Sequence, residues 1–142
     1  MKKILLGCLA VFLFAASTYA GELYVNDDRL PELAKNQKAI LYFHADWCPY
    51  CKKFRPTWDA VVNDPANQAL ATFVRINIDT AKTLKGRFKV QGVPMLVRYC
   101  SCEEEFIGDP ENPFVLDADK ESYRPWNPEE LLRFIKEGVT PP

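Results

Sequence analysis

The stretch DWCPYCKKFRP, residues 46–56, places two cysteines three positions apart, directly after an apolar run. That run, residues 39–44, reads AILYFH and suits a strand that is buried on both faces of a sheet. We expect a helix to begin at the cysteine pair and to continue through Val62, with Pro56 as a kink inside it. The two thiols would then lie on the first turn of a helix, just beyond the end of a buried strand.

The position of the first cysteine favours nucleophilic sulfur chemistry. A thiol is a poor nucleophile until it ionises, and an isolated cysteine has a pKa of about 8.5. At the start of the helix, Cys48 would face unpaired backbone N–H groups and the positive end of the helix dipole, which both stabilise a thiolate. Cys51 should be more buried, yet close enough to attack a mixed disulfide formed on Cys48. The pattern therefore predicts Cys48 as the entering nucleophile and Cys51 as the resolving thiol.

Strands and helices alternate along the rest of the chain, which indicates an α/β layer fold. Residues 72–78 and 95–99 have the composition of two further strands. We expect short helices over residues 30–38, 66–70 and 80–88, the first capped by Asp27 or Asp28 and the last by Asp79 or Thr80. The polar stretch 101–121 is predicted to be an extended hairpin or a surface insertion. A final helix should begin after Asn127 as cap, with Pro128 in its first position, and should end at Gly138.

The first twenty residues have the pattern of a secretory signal peptide. Two lysines precede an apolar run from Ile4 to Ala16, and small residues follow up to Ala20. The run is short for a membrane span, although a retained anchor and acylation at Cys8 remain alternatives. We therefore expect residues 1–20 to be a signal peptide and residues 21–142 to form one domain. The 18 basic and 19 acidic residues nearly balance and form no basic stripe, so nothing indicates nucleic-acid binding.

The chain resembles the thioredoxin superfamily over roughly residues 22–140. The resemblance rests on ADWCPYC at 45–51, on a proline five residues after the second cysteine, on RINID at 75–79 and on GVP at 92–94. The stretch that begins VVNDPANQAL is similar to exported thioredoxin-like domains, including the reducing domain of bacterial disulfide-interchange membrane proteins. The resemblance implies a thioredoxin fold, with a central mixed sheet flanked by helices and an insertion near the last hairpin.

The resemblance also implies roles for residues around the cysteine pair. Pro94 would form a cis peptide bond facing the pair, and the Val93 backbone would be free to hydrogen-bond an extended substrate. Substrate would also contact three residues beside the thiols, namely Trp47, Pro49 and Tyr50. The dipeptide Pro49-Tyr50 is similar to that of glutaredoxins, which does not by itself indicate the use of glutathione.

Two residues of the first central strand are candidate modulators of the thiols. Thioredoxins usually carry a buried acid six residues before the first cysteine, where this chain has Tyr42. That tyrosine either hydrogen-bonds near the pair or packs as an ordinary core aromatic. His44 lies on the same strand face and would either steady a thiolate as a cation, accept a proton, or pack at the end of the strand. Arg75, on the next strand, would supply charge near Tyr42 or lie at the edge of the core.

Cys100 and Cys102 form a second cysteine pair after the third strand. Cys100 is six residues beyond Pro94, or roughly 20 Å along an extended strand, which disfavours exchange with Cys48. The pair forms a local disulfide, stays as free thiols, or serves a metal or an intermolecular contact. A zinc module that uses Cys48 and Cys51 together with this second pair is a rival interpretation. We expect no metal in the functional site.

The sequence thus predicts an exported, monomeric thiol–disulfide oxidoreductase, which would be periplasmic in a Gram-negative bacterium. Its substrates would be cysteine pairs of other proteins, and a membrane redox relay would be a further partner. The redox group would be the Cys48–Cys51 disulfide itself, without a bound cofactor. The reductase direction is preferred over oxidase or isomerase action. A peptide-binding module that uses the groove around Pro94 without turnover is the remaining alternative.

Overall fold

A computed structural model describes residues 21–30, 37–100 and 125–138 of the chain. Four strands and three α-helices alternate along these segments. In chain order they are β1 (Leu23–Val25), β2 (Lys38–His44), α1 (Pro49–Val62), β3 (Thr72–Asn77), α2 (Lys82–Arg87), β4 (Met95–Cys100) and α3 (Pro128–Glu137), with a 3₁₀ turn at Pro65–Asn67 after α1. None of the helices in these three segments is both long enough and apolar enough to cross a bilayer.

The strands form one mixed sheet in the order β1-β3-β2-β4. β3 pairs in parallel with both β1 and β2, whereas β4 runs antiparallel to β2. The register of the antiparallel pair sets Phe43 opposite Met95 and Lys38 opposite Cys100. The end of β2 that leads to Cys48 therefore lies at the start of β4, and Cys100 lies at the other end of the sheet. The predicted α/β class and mixed central sheet are confirmed.

Alternating residues of β2 belong to two separate apolar clusters, one on each face of the sheet. Ile40 and Tyr42 pack with α1 and α3 in one cluster. Leu41 and Phe43 belong to the other cluster, which also contains both cysteines of the pair and Leu84 of α2. Because β2 is buried on both faces, its sequence is almost continuously apolar. This arrangement fixes the carboxyl end of β2, and hence the start of α1, between the two layers.

The helices and strands nearest the cysteine pair agree with the sequence predictions. The strands expected at 39–44, 72–78 and 95–99 correspond to β2, β3 and β4. Helix α1 runs through Pro56 to Val62. The α3 helix begins after Asn127, whose side chain and that of Glu130 form a reciprocal capping box, and Gly138 ends it in the left-handed conformation.

Two local predictions differ from the structure. The short helical piece expected over residues 66–70 is present as a 3₁₀ turn, but it begins one residue earlier and is shorter, since it spans Pro65–Asn67 with Asp64 as its cap. The helix expected over residues 30–38 does not extend to its end, since Lys38 already belongs to β2; residues 31–36 lie outside the described segments. The insertion predicted within residues 101–121 lies outside the described segments. Strand β1 was not predicted from the sequence.

The predicted cap of α2 was also wrong, because neither Asp79 nor Thr80 caps the helix. The Asp79 carboxylate accepts hydrogen bonds from the Trp47 indole, and the Thr80 hydroxyl donates to the side chain of Asn26. An N–H in the first turn of α2, that of Thr83, instead donates to the Asp28 carboxylate at 2.7 Å. The acceptor therefore comes from a residue more than fifty positions earlier in the chain, which no local pattern would reveal.

Lysine occupies the left-handed position that follows α2. The N–H of Lys89 donates to Gly86 and that of Val90 donates to Lys85, which is the hydrogen-bond pattern of a Schellman motif. Lys89 has φ = 49°, in the region that side-chain-bearing residues rarely adopt and that glycine adopts freely. The backbone conformation alone thus does not account for a lysine at this turn.

Candidate active site

The sulfur of Cys48 caps helix α1. Cys48 is the N-cap residue with an extended backbone, and Pro49 occupies the first helical position. The N–H of Cys51 donates a hydrogen bond to Cys48 Sγ at 3.1 Å. This N–H is one of the donors that a helix start leaves unpaired, so the helix directs a polar group at the sulfur. Such donation is stronger to a thiolate than to a thiol, because hydrogen bonds to charged acceptors are stronger.

Both thiols are buried, which corrects the expectation that Cys51 is the more buried one. The side chains are 2 % exposed at Cys48 and 4 % exposed at Cys51, and both are free thiols. The two differ instead in what lies beside them. Cys48 lines a surface groove of about 340 Å³, whereas Cys51 does not contribute to its walls. A substrate in the groove would therefore meet Cys48 first.

The opposite wall of the groove is the turn that precedes β4. The peptide bond between Val93 and Pro94 is cis, and Pro94 is buried. The Cys48 thiol donates to the Val93 carbonyl with an Sγ–O distance of 3.4 Å. That carbonyl therefore has a hydrogen-bond partner in the reduced protein, and the pairing of the Val93 backbone with a substrate stays a prediction. Ionisation of Cys48 removes this donor and leaves the carbonyl available to a substrate N–H.

The remaining predicted contact residues also lie around the groove. Trp47 is 64 % exposed, and its indole N–H donates to both carboxylate oxygens of Asp79, at 3.2 and 3.0 Å. This contact holds a large apolar ring at the edge of the groove. Pro49 is exposed and Tyr50 is partly buried, and both line the same wall as Trp47. The structure thus brings these three residues together beside the nucleophile.

Tyr42 lies behind Cys51 as a buried hydrogen-bond donor. Its ring is 2 % exposed, and its hydroxyl donates to the Cys51 carbonyl at 3.4 Å. Burial raises the pKa of Tyr42, so the phenol remains protonated. Burial is also the largest cause that raises the pKa of Cys51, followed by its hydrogen bond with Cys48, whereas the Tyr42 hydroxyl acts in the opposite direction. Tyr42 thus favours the Cys51 thiolate, but as a hydrogen-bond donor and not as a base.

A partly buried ion pair that the sequence did not reveal lies beside this tyrosine. Arg75 lies opposite Tyr42 in the parallel register of β2 and β3, and its guanidinium binds Glu22 at 2.8 Å. The other carboxylate oxygen of Glu22 accepts a hydrogen bond from the indole of Trp58, which packs against the Tyr42 ring at 4.9 Å. The Arg75 and Glu22 side chains are only 14 % and 18 % exposed. Arg75 thus lies near Tyr42, which is one of the two positions that the sequence suggested. Its ion-pair partner, Glu22, directly precedes strand β1 and was not predicted.

His44 is neutral at physiological pH, so the expected cationic role was wrong. Its side chain is 9 % exposed, and its ring lies between those of Tyr24 and Tyr42, with centroid distances of 5.8 and 5.6 Å. Burial and then the charge of Arg75 lower its pKa from 6.5 to about 4. Its Nε2 atom has no hydrogen-bond partner within the described residues. His44 therefore acts as a packed aromatic at the strand end and does not supply a positive charge to the cysteine pair.

Cys100 is separated from the site and is already bonded. It forms a disulfide, while Cys48 and Cys51 are both free. Because the register sets Cys100 against the first residue of β2, the length of the strand separates it from Cys48. This geometry excludes the zinc module that would use both cysteine pairs. Within the described segments no group of three or more metal-ligating side chains is present, and Cys102 lies outside those segments.

Comparison with known proteins agrees with this geometry. The Thioredoxin family model matches residues 24–111, which include both site cysteines and Pro94. A protein disulfide-isomerase like 2-2 from Arabidopsis thaliana is 33 % identical over 79 residues, covering 54 % of this chain and 17 % of that protein. A putative thioredoxin-5 from Dictyostelium discoideum is 32 % identical over 74 residues, covering 52 % of this chain and 70 % of that protein.

Solved thioredoxins share the fold. The thioredoxin of Malassezia sympodialis superposes with a TM-score of 0.52 at 15 % identity, covering 66 % of this chain and 84 % of that one. Thioredoxin f2 of Chlamydomonas reinhardtii gives 0.52 at 20 % identity, with coverages of 63 % and 82 %. A dithiol at the start of a helix, beside a groove, has the geometry that thiol–disulfide exchange requires. The chain belongs to the thioredoxin family.

The buried neutral His44 should make the stability of the fold depend on pH. An unfolded chain binds a proton at His44 below about pH 6.5, whereas the folded protein does so only below about pH 4. The contribution is therefore complete above pH 6.5 and is lost as the pH falls from 6.5 to 4. Between pH 7 and 4.5 we expect this group to remove up to about 2 kcal/mol from the free energy of unfolding.

Urea unfolding of the wild type and of His44→Gln at both pH values measures this contribution. The variant retains the carboxylates that also titrate in this range, so the difference between the two pH slopes isolates the histidine. Equal slopes would show that His44 binds its proton equally well in the folded and unfolded chain.

Proposed function

We propose that this protein is exported and exchanges disulfides with cysteine pairs of other proteins, with Cys48 as nucleophile and Cys51 as resolving thiol. The proposal rests above all on the hydrogen bond from the Cys51 N–H to Cys48 Sγ, at 3.1 Å, beside an open groove. The exchange reaction requires an accessible thiolate and a second thiol close by. This hydrogen bond favours the thiolate on Cys48, and its donor belongs to Cys51, which lies one helical turn away. The dithiol serves as the redox group, and no bound cofactor is needed.

The first step forms a mixed disulfide. The Cys48 thiolate attacks one sulfur of a substrate disulfide, so a bond forms between Cys48 and that sulfur while the other substrate sulfur leaves as a thiolate. The Cys51 N–H donor stabilises the attacking sulfur. The Val93 carbonyl no longer accepts a hydrogen bond from Cys48, so it can accept one from the substrate backbone, in the manner of strand addition.

The second step releases the substrate. The Cys51 proton passes to the thiolate that left in the first step, and the Cys51 thiolate attacks Cys48 Sγ. The Cys48–Cys51 bond forms, the mixed disulfide breaks, and the second substrate sulfur leaves as a thiolate. Formation of the mixed disulfide assists this step, because it removes the Cys48 charge that raises the pKa of Cys51. The Tyr42 hydroxyl then stabilises the Cys51 thiolate. The protein loses two electrons and the substrate gains them.

The surroundings of the thiols favour the reductase direction. A dithiol becomes a stronger oxidant when its thiolate form is strongly stabilised, as in the oxidant DsbA. Here His44 is neutral, the intervening Pro49-Tyr50 carries no charge, and burial opposes ionisation of Cys51. The backbone N–H that donates to the Cys48 sulfur is a neutral group. The similarity to the reducing domain of disulfide-interchange proteins supports the same direction.

Export and a membrane relay belong to the same proposal. The secretory pattern of residues 1–20 and the disulfide at Cys100 both suit an oxidising compartment, which is the periplasm in a Gram-negative bacterium. A reductase in such a compartment must receive electrons from elsewhere. A membrane protein that transfers electrons from the cytoplasm is the class of partner that meets this need, and the domain itself would act as a monomer.

Isomerase action is the second candidate, and the relatives named protein disulfide-isomerase favour it. The same two steps rearrange a wrong disulfide when the mixed intermediate is attacked by a third substrate thiol before Cys51 resolves it. The buried Cys51 would slow resolution and lengthen the life of this intermediate. The redox potential distinguishes this reaction from net reduction.

Substitution of each cysteine tests the assignment of the two roles. With reduced protein and insulin as substrate, Cys48→Ser should lower the rate of disulfide reduction to the uncatalysed rate, because no nucleophile lines the groove. Cys51→Ser should instead accumulate a covalent complex with insulin that non-reducing gel electrophoresis detects and dithiothreitol dissolves.

Cys100→Ser serves as the matched control, since it removes a cysteine at the opposite end of the sheet. It should retain wild-type turnover per folded molecule. Full activity of Cys48→Ser, or trapping by Cys48→Ser in place of Cys51→Ser, would contradict the assignment.

The equilibrium potential of the Cys48–Cys51 couple tests the direction. Because His44 is neutral and burial opposes ionisation of Cys51, we expect a potential closer to that of thioredoxin, about −270 mV, than to that of DsbA, about −120 mV. Equilibration with glutathione buffers and quantification of free thiols measures it. A value close to −120 mV would assign the protein to the oxidants, and one near −180 mV would favour isomerase action.

A further inference from the structure

The groove beside Cys48 continues into a second concavity that is lined by lysines. The first, of about 340 Å³, lies between residues 47–50 and 90–93 and also contacts Lys85. The second, of about 420 Å³, is bordered by Lys82, Lys85 and Lys89. Lys85, Val90 and Gln91 contribute to both, so the two form one continuous surface that leads away from the nucleophile.

The three lysines lack acidic partners within the described residues. No ion pair involves Lys82, Lys85 or Lys89. Two acidic side chains lie near this surface and keep their negative charge, since Asp28 accepts from a backbone N–H of α2 and Asp79 accepts from an indole. The three lysines outnumber these two carboxylates. The whole chain carries a formal charge of −1, so this surface is locally basic on a weakly acidic protein. Three unpaired cations beside an apolar groove complement an acidic ligand.

The backbone at Lys89 is a second observation that favours a role for these side chains. The residue holds the left-handed conformation in which glycine would be less strained. A side chain retained at such a position is a reason to look for a function, because local stability does not account for it. Lys89 is exposed and borders the same concavity as Lys82 and Lys85.

We propose that this surface binds an extended segment of a substrate protein that carries acidic residues beside its reacting cysteine. Lys85 contacts the carboxylate nearest the cysteine because it borders both concavities, and Lys82 and Lys89 contact the next one. Trp47, Ile78 and Val90 pack against the apolar part of the segment. The inference rests on the proposed disulfide exchange and adds the class of substrate that the site prefers.

Peptide substrates that differ only in charge test this preference. Each peptide carries one internal disulfide, with two glutamates or two glutamines placed before it, after it, or on both sides. Reduced wild-type protein should reduce the best glutamate peptide about three- to tenfold faster in kcat/KM than its glutamine counterpart, as a few exposed ion pairs would provide. Raising the ionic strength from about 0.01 M to about 1 M should remove the difference, because the Debye length falls from about 30 Å to about 3 Å.

Three variants locate the effect. Lys85→Glu should abolish or reverse the preference, and the matched variant Lys38→Glu, at the far end of β2, should retain it. Lys89→Gly should weaken the preference while its urea midpoint stays at or above that of the wild type, so a loss of binding cannot be ascribed to unfolding. Turnover of the glutamine peptides should stay unchanged in the control variant Lys38→Glu.

The outcomes separate this inference from the proposed function. Equal rates on both peptides, or a preference that survives in Lys85→Glu, would overturn the inference and leave disulfide exchange intact. No reduction of either peptide would contradict the proposed function itself. Reduction of oxidised glutathione at a higher kcat/KM than any peptide would assign the basic surface to a small acidic disulfide instead of a protein segment, and would also overturn the inference.

Discussion

The hydrogen bond from the Cys51 N–H to the Cys48 sulfur links the fold to the chemistry of this protein. A helix start leaves several backbone donors without partners, and most helices satisfy one with a serine, threonine or aspartate cap. Here a sulfur takes that place, 3.1 Å from the donor. The cap position therefore holds the nucleophile, and the donor belongs to the residue that later resolves the intermediate. The buried β2 strand supports this arrangement, because packing on both faces fixes the point where the helix begins.

The residues behind the pair distinguish this site from the thioredoxins that it resembles. Where those proteins carry a buried carboxylate, Tyr42 offers a hydroxyl that remains protonated. A carboxylate can accept the proton of the resolving thiol, whereas this phenol can only donate a hydrogen bond to the thiolate. The acidic group of the region is Glu22, which is paired with Arg75 and hydrogen-bonded to Trp58. In the proposed reaction the proton of Cys51 therefore passes to the departing substrate thiolate and not to Tyr42.

The features that could be predicted from the sequence were those encoded by neighbouring residues. The apolar run before the cysteines predicted β2, the cysteine spacing predicted the start of α1, and Asn127 followed by Pro128 and Glu130 predicted the cap of α3. The features that were missed depend on contacts between distant segments. The Asp28 carboxylate reaches α2, and Glu22 reaches Arg75 and Trp58 from the other side of β3. The neutral state of His44 also depends on burial between two rings from different strands, which its position in the sequence does not reveal.

The exposure of the two sulfurs illustrates the same limit. Helical periodicity places Cys51 deeper than Cys48, but it contains no information on the turn at Pro94 that covers Cys48 from the other side. Both thiols are in fact buried, and only Cys48 borders the groove. Differential alkylation tests the central claim most directly, because it compares the two sulfurs in one molecule. A brief pulse of iodoacetamide near neutral pH, followed by peptide mass mapping, should modify Cys48 and leave Cys51 unmodified, while urea-unfolded protein should be labelled at both. Equal labelling in the folded protein, or labelling of Cys51 first, would contradict the account.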